Sequence, residues 1–188
     1  MKNQEEEKVV ETEEEMRERL KKEIMAEVLE ELKKEFYKLS SSKDFQARGY
    51  ALEKFLNQLF GLYDLDPKGS FKVEGEQIDG AFTFNNEEYL LEAKWKTELT
   101  NLADLDSFSG KLRRRLENTL GLFISINGFS TESINKFACD RKLMLLMDGN
   151  DLIAVLDERI TLPELLKRKK RAAAQTGNIY FRYQDMIG

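Results

Sequence analysis

The stretch from Gln77 to Trp95, QIDGAFTFNNEEYLLEAKW, constrains the fold of this 188-residue chain more than any other. Two segments flank a turn-forming centre, as in an antiparallel pair of strands whose successive side chains point to opposite faces. Leu91, Ala93 and Trp95 share one face of the second strand and belong in a core. Leu90, Glu92 and Lys94 share the other, so an acid and an amine meet near the strand's end. A symmetric turn centred on Asn86 and Glu87 pairs Phe84 with Tyr89, Phe82 with Leu91 and Asp79 with Lys94, and sets Glu92 opposite Ala81. Facing residues lie about 5 Å apart and diagonal ones about 7–8 Å apart, which gathers Asp79, Glu92 and Lys94 into one cluster.

The segments around this pair fill out a layered domain. Residues 1–40 read as one long helix, with Met25, Leu29, Leu32, Phe36 and Leu39 alternating steps of four and three. That stripe fits either a helix packed on its own domain or a coiled coil with a second copy. Ser40 to Asp44 interrupt it, and residues 44–188 form the second unit. A helix to about Tyr63 presents Leu52, Phe55, Leu56, Leu59 and Phe60, with Glu53 on the flank of that face. Asp66 to Gly69 is a turn. A helix from about Asp104 to Asn118, a strand over GLFISING, a helix from about Thr131 to Arg141, a strand over LMLLM, an Asp148-Gly149 turn and two helical segments around Pro163 complete the chain. The order predicts an α/β fold, a mixed sheet flanked by helices with a long N-terminal helix. Ser130 or Thr131 reads as a helix N-cap and not a nucleophile. Cys139 reads as a core residue.

Composition narrows the chemistry. There is no histidine and one cysteine, which excludes Ser-His-Asp and Cys-His catalysis, histidine-ligated zinc and an internal disulfide framework. A bound metal would need oxygen ligands, pointing to magnesium, manganese or calcium. No apolar run has the length of a membrane span and the first residues are no secretory signal, so a cytoplasmic location is expected. The net charge is −5, of which residues 1–38 hold −4 (13 acidic, 9 basic); the remainder is nearly neutral, and nucleic-acid binding would rest on local patches.

Two carboxylates at such range are not both ionised cheaply without a cation between them. A divalent metal resolves the conflict and lowers the pKa of a bound water, and a neighbouring lysine can orient or deprotonate that water. The alternative is a cross-strand Asp–Lys ion pair on a solvated face.

Ile78-Asp79-Gly80 followed by Glu92-Ala93-Lys94 resembles the PD-(D/E)XK nuclease superfamily, in which an acid on one strand precedes Glu/Gln-X-Lys on the next. RGYALEKFLNQLFGLYDL, GLFISINGFS with TESINKFA, and LMLLMDGNDL resemble the Mrr-like restriction endonuclease branch over roughly residues 48–170. The resemblance implies Asp79, Glu92, Lys94 and Glu53 (in the Gly49-x-x-x-Glu53 pattern) as catalytic residues, with Asp79, Glu92 and Glu53 holding Mg2+ or Mn2+. That branch often carries Gln-X-Lys; glutamate here keeps metal ligation. Phosphate contacts are expected from Lys111, Arg113 and Arg115 after the site strand and from Lys167, Arg168, Lys170 and Arg171 near the C terminus. Solvated helix faces are the alternative, and for the second patch a cationic helix end. The resemblance thus implies a DNA endonuclease acting in defence against foreign DNA. A duplex cut needs two active sites, which points to a dimer or higher oligomer, and the small size points to a separate targeting or activating protein. The rivals of this reading are an RNA nuclease and a non-catalytic interaction module acting through the long helix.

Overall fold

A computed structural model describes residues 12–137 and 143–188; Cys139 and the end of the helix expected to reach Arg141 lie outside them. Helix α1 (Glu13–Ser40) starts at Thr12, whose hydroxyl accepts the Glu15 N–H while the Glu15 carboxylate accepts the Thr12 N–H. This reciprocal cap satisfies two backbone donors that the first turn leaves unpaired. Asp44 caps α2 (Phe45–Leu62) by accepting the Ala47 N–H. A small hairpin follows, β1 (Phe71–Val73) and β2 (Glu76–Ile78), turned at Glu74 and Gly75, both at positive φ. Three residues per strand show too little alternation to be read from sequence.

The main sheet has the order β3-β4-β5-β6, from β3 (Gly80–Phe84), β4 (Glu87–Lys94), β5 (Leu120–Ser125) and β6 (Met144–Asp148). β3 is antiparallel to β4, and the other pairs are parallel. Parallel neighbours need crossovers, and α3 (Leu102–Arg113) and α4 (Thr131–Phe137) lie in them. Then come α5 (Gly149–Leu156), α6 (Leu162–Thr176) and the short α7 (Tyr183–Met186). The mixed sheet flanked by helices, and the long first helix, match the fold expected from sequence.

Strand alternation divides the interior into two layers. Leu91, Leu122, Ile124, Leu145 and Met147 face one side, packing with Leu29, Leu32 and Phe36 of α1, Phe55 and Leu59 of α2, Leu152 of α5 and Leu165 of α6. Leu90, Phe123, Met144 and Leu146 face the other, against Leu105, Phe108 and Leu112 of α3. The central strands are therefore buried on both faces, as expected beneath helical crossovers.

Three expectations are revised. The β3–β4 turn is Asn85-Asn86, at φ 51° and 61°, so Phe82 pairs with Tyr89 and Gly80 with Leu91. Two positive φ values suit a two-residue hairpin turn, which asparagine tolerates. Moving the turn by one residue shifts the register by two, so every side chain keeps its face. Asp79 is thereby brought level with Glu92 instead of Lys94. The Asp148-Gly149 turn is a helix start, Asp148 accepting the Asp151 N–H at 3.0 Å. Finally, α3 begins after Asn101 and ends at Arg113, and Leu116, which would have prolonged the pattern, is 78% exposed. For the α1 stripe, the reading as a helix packed on its own domain holds: Leu29, Leu32 and Phe36 are buried there, and Met25 and Leu39 pack against the same layer.

Candidate active site

The C-terminal end of β4 carries Glu92 and Lys94, both on the face that α3 covers. Asp79 joins from the link between β2 and β3, where its carboxylate accepts the Ala93 N–H at 3.0 Å. That bond fixes the acid against the strand bearing the other two groups. Glu53 arrives from the opposite layer, and it lines one narrow cleft with Asp79 between α2 and β3. The junction of α2 with this strand is held by Arg48, which is buried, stacks on Phe45 and Trp95 (each 4.9 Å to the ring centroid) and donates to the Trp95 carbonyl at 3.1 Å.

Glu92 is only 6% exposed, so it does not stand on an open strand face as its sequence position suggested. Both of its oxygens are occupied: Lys94 Nζ lies 3.0 Å from Oε1, and Lys111 Nζ lies 2.7 Å from Oε2. Lys111 thus belongs to the site, where sequence placed it on a phosphate-facing surface. The signal for this was available. Lys111 follows Phe108 by three positions and precedes Leu112 on α3, which puts it on the edge of the buried stripe.

The electrostatics follow from crowding. Burial raises the Asp79 pKa, and the Glu92 charge raises it further; the Ala93 N–H, Lys94 and Lys111 oppose this without cancelling it. Glu53 is also raised, by burial and then by the Asp79 charge, against a hydrogen bond from Ser70. For Lys94, burial would lower the pKa, but the Glu92 charge and hydrogen bond together with Asp79 outweigh it and hold the amine above its usual value.

Among the described residues, no three histidine, cysteine or acidic side chains are grouped so as to hold a metal ion. The donor set nonetheless fits a hard divalent cation in kind, since it consists of carboxylates, of which Asp79 and Glu53 are lifted first by burial and then by a neighbouring carboxylate. On Glu92 two ammonium groups stand where a cation would bind.

The other expected contacts lie elsewhere. Arg114 and Arg115 both pair with Glu76 on β2, so that acid is occupied by them and Arg115 is engaged within the chain. Arg113 is exposed at the end of α3. On α6, Lys167 and Arg168 pair with Glu164, and Lys170 pairs with Glu87 at the opposite end of β4. Glu87 lies five positions before Glu92 on the strand, about 17 Å at the usual rise. Arg171 is exposed. Lys169, within the same basic run, is fully buried and pairs with Asp151 at 2.6 Å.

Comparison with protein families and with curated proteins finds no match to this chain. Among solved structures, the MspJI restriction endonuclease in complex with a 27-mer oligonucleotide aligns with a TM-score of 0.48 and 16% identity, over 76% of this chain and 35% of that one. The DNA modification-dependent restriction endonuclease AspBHI aligns at 0.41 and 12% identity, over 80% and 40%. A protein of unknown function aligns at 0.43 and 18% identity, over 65% and 77%. The chain spans well under half the length of either endonuclease.

Proposed function

We propose that this chain is a magnesium-dependent nuclease that hydrolyses phosphodiester bonds of DNA, with manganese able to replace magnesium. The observation that carries this reading is the meeting of Asp79, Glu92 and Lys94 at one strand end, with Glu53 across the cleft. The Asp79 carboxyl is lifted by burial and then by the Glu92 charge, and Glu53 by burial and then by the Asp79 charge, a conflict that a divalent cation relieves. Asp79, Glu92 and Glu53 would hold the ion, which when bound supplies an acidified water and charge for the phosphate oxygens. Lys94, 3.0 Å from Glu92, would orient the attacking water or help deprotonate it, and would balance charge on the phosphate. Asp79, anchored on the Ala93 N–H, fixes the direction from which its carboxylate serves the site.

Arg113, Lys167, Arg168, Lys170 and Arg171 serve in this reading as backbone contacts for flanking DNA, those on α6 remote from the cut. A duplex cut needs two sites, so a homo-oligomer fits. Met16, Leu20 and Ile24, exposed on α1 at four-residue spacing beyond the part packed on the domain, offer the second copy its contact. Defence against foreign DNA, with a separate protein for targeting or activation and a cytoplasmic setting, completes the proposal. Among the described residues, no helix is long and apolar enough to cross a membrane.

Incubation with supercoiled plasmid, single-stranded DNA and RNA, each with and without magnesium, tests the reading. Metal-dependent nicking or linearisation of plasmid supports it. Cleavage of RNA alone would assign an RNA nuclease, and no cleavage of any substrate would favour an interaction module.

A further inference from the structure

Lys111 is a second amine on a carboxylate that already has one. Its side chain is 15% exposed and that of Glu92 7%, so the contact is shielded from solvent, and at 2.7 Å it is shorter than the Lys94 contact at 3.0 Å. The two amines come from different elements: Lys94 from the same strand as Glu92, Lys111 from the crossover helix. Lys111 reaches Glu92 on a long side chain from a separate element, so its contact can be exchanged by rotating that side chain alone.

The charge balance of the cluster points to what exchanges it. Glu53, Asp79 and Glu92 bring three negative charges and Lys94 and Lys111 two positive ones, a net of about −1. A divalent ion added with Lys111 still on Glu92 would compete with an ammonium for the same oxygen, in a shielded place where each charge interaction is strong. A phosphodiester brought to the same mouth offers Lys111 an alternative anion, and Glu92 is then freed for the cation. Ion and phosphate each favour the state in which Lys111 has left Glu92.

We propose that Lys111 is a positioning residue that couples metal binding to substrate binding, occupying Glu92 in the free protein and passing to a backbone phosphate when nucleic acid arrives. The inference rests on the nuclease reading and adds to it an order of assembly: the ion binds weakly to the free protein and tightly to the protein–DNA complex. By linkage, the ion strengthens DNA binding by the same factor.

Calorimetric titration with calcium, an oxygen-seeking ion, tests this on the full chain, with and without a short DNA duplex whose integrity is checked by gel. The wild type is expected to bind calcium at least about tenfold more tightly with duplex present. Lys111→Met is expected to bind calcium at least about tenfold more tightly than wild type in the absence of DNA, and to gain little when duplex is added. Lys111→Arg, which keeps the charge, is expected to retain the wild-type coupling, an outcome that a merely structural role for the side chain would not produce. Should Lys111→Met fail to fold, Lys111→Gln replaces it in the same titrations. Equal calcium affinity in wild type and the neutral variant without DNA, or an equal gain from duplex in both, would overturn the proposal. If the wild type also cuts plasmid with magnesium, only this inference falls. Absence of calcium binding in every variant, with and without duplex, would remove it together with the metal-dependent reading.

Discussion

Asp79 shows most clearly what the site costs the fold. Its carboxyl is raised by burial and by Glu92, so the folded state binds its proton more tightly than the unfolded chain does. A raised acid contributes stability at low pH that is lost as pH climbs from the ordinary carboxyl value, near 3.8, through the folded value. Glu53 has the same sign. Asp79→Asn keeps an oxygen for the Ala93 N–H and removes the charge. It is therefore expected to raise Tm in metal-free buffer at neutral pH and to flatten the decline from acid to neutral, while lowering cleavage by at least about 100-fold. Thermal melts across pH, paired with a plasmid assay, check both halves; a variant less stable than wild type at neutral pH would contradict the repulsion. Glu92→Gln acts oppositely on stability. It leaves Lys94 and Lys111 without their shared anion in a shielded place, and removing one partner of a buried pair costs about 3–5 kcal/mol. A drop of that order in urea unfolding free energy is expected, with loss of cleavage. At this scale the sequence was legible for Glu92 and Lys94, because strand parity fixes their face. Lys111 was not assigned to the site, because a lysine on the edge of a helical stripe reads equally well as solvated.

Element packing decides how far such side chains converge. The face of β4 was readable from alternation, but its register with β3 was not, because NNE offers two adjacent turn centres of similar quality. Only the pair of positive φ values at Asn85 and Asn86 selects between them. The role of α1 was ambiguous for a related reason: a short stripe looks the same whether the partner is the domain or another chain. Phe36 stacks on Trp95 at 5.1 Å between ring centroids and is 3% exposed, so α1 closes the layer above the site strand. Phe36→Ala is expected to destabilise by about 3–5 kcal/mol, read from urea unfolding, and a chain starting at residue 41 is expected to lose cooperative unfolding; an intact, cooperative truncated chain would show that α1 is an appendage. On α6, Lys169 is held by Asp151, by the Leu146 carbonyl at 2.9 Å and by the Phe181 carbonyl at 2.8 Å. Lys169→Ala leaves Asp151 buried and unpaired, and a loss of about 3–5 kcal/mol is expected. Neutralising the neighbouring Lys167, Arg168, Lys170 and Arg171 is expected to spare stability and to flatten the salt dependence of duplex binding, by roughly 0.9 in the log–log slope for each phosphate that is no longer neutralised.

Across the whole molecule, the two apolar layers meet at a sheet where the C-terminal end of β4 gathers groups from both sides: Glu53 from one layer, Lys111 from the other, Asp79 from the link before β3, and Glu92 and Lys94 from β4 itself. The sheet and its helical cover were readable from the order of short apolar runs and amphipathic stretches. The convergence of the layers was not, since nothing in a linear pattern says which helix edge overhangs which strand end. Beyond the packed part of α1, Met16, Leu20 and Ile24 stay exposed. Changing Leu20 and Ile24 together to glutamate is expected to halve the mass seen by light scattering if two copies meet there, and an unchanged mass would reassign that strip to a different partner. Whether the acids and amines at the end of β4 form a metal-dependent phosphodiesterase site is read from the rate of plasmid cleavage against magnesium concentration for wild type and for Asp79→Asn, with both proteins confirmed folded by their melts. Saturable, chelator-sensitive cleavage by the wild type and none above background by the variant are expected; equal cleavage by the two would rule such a site out.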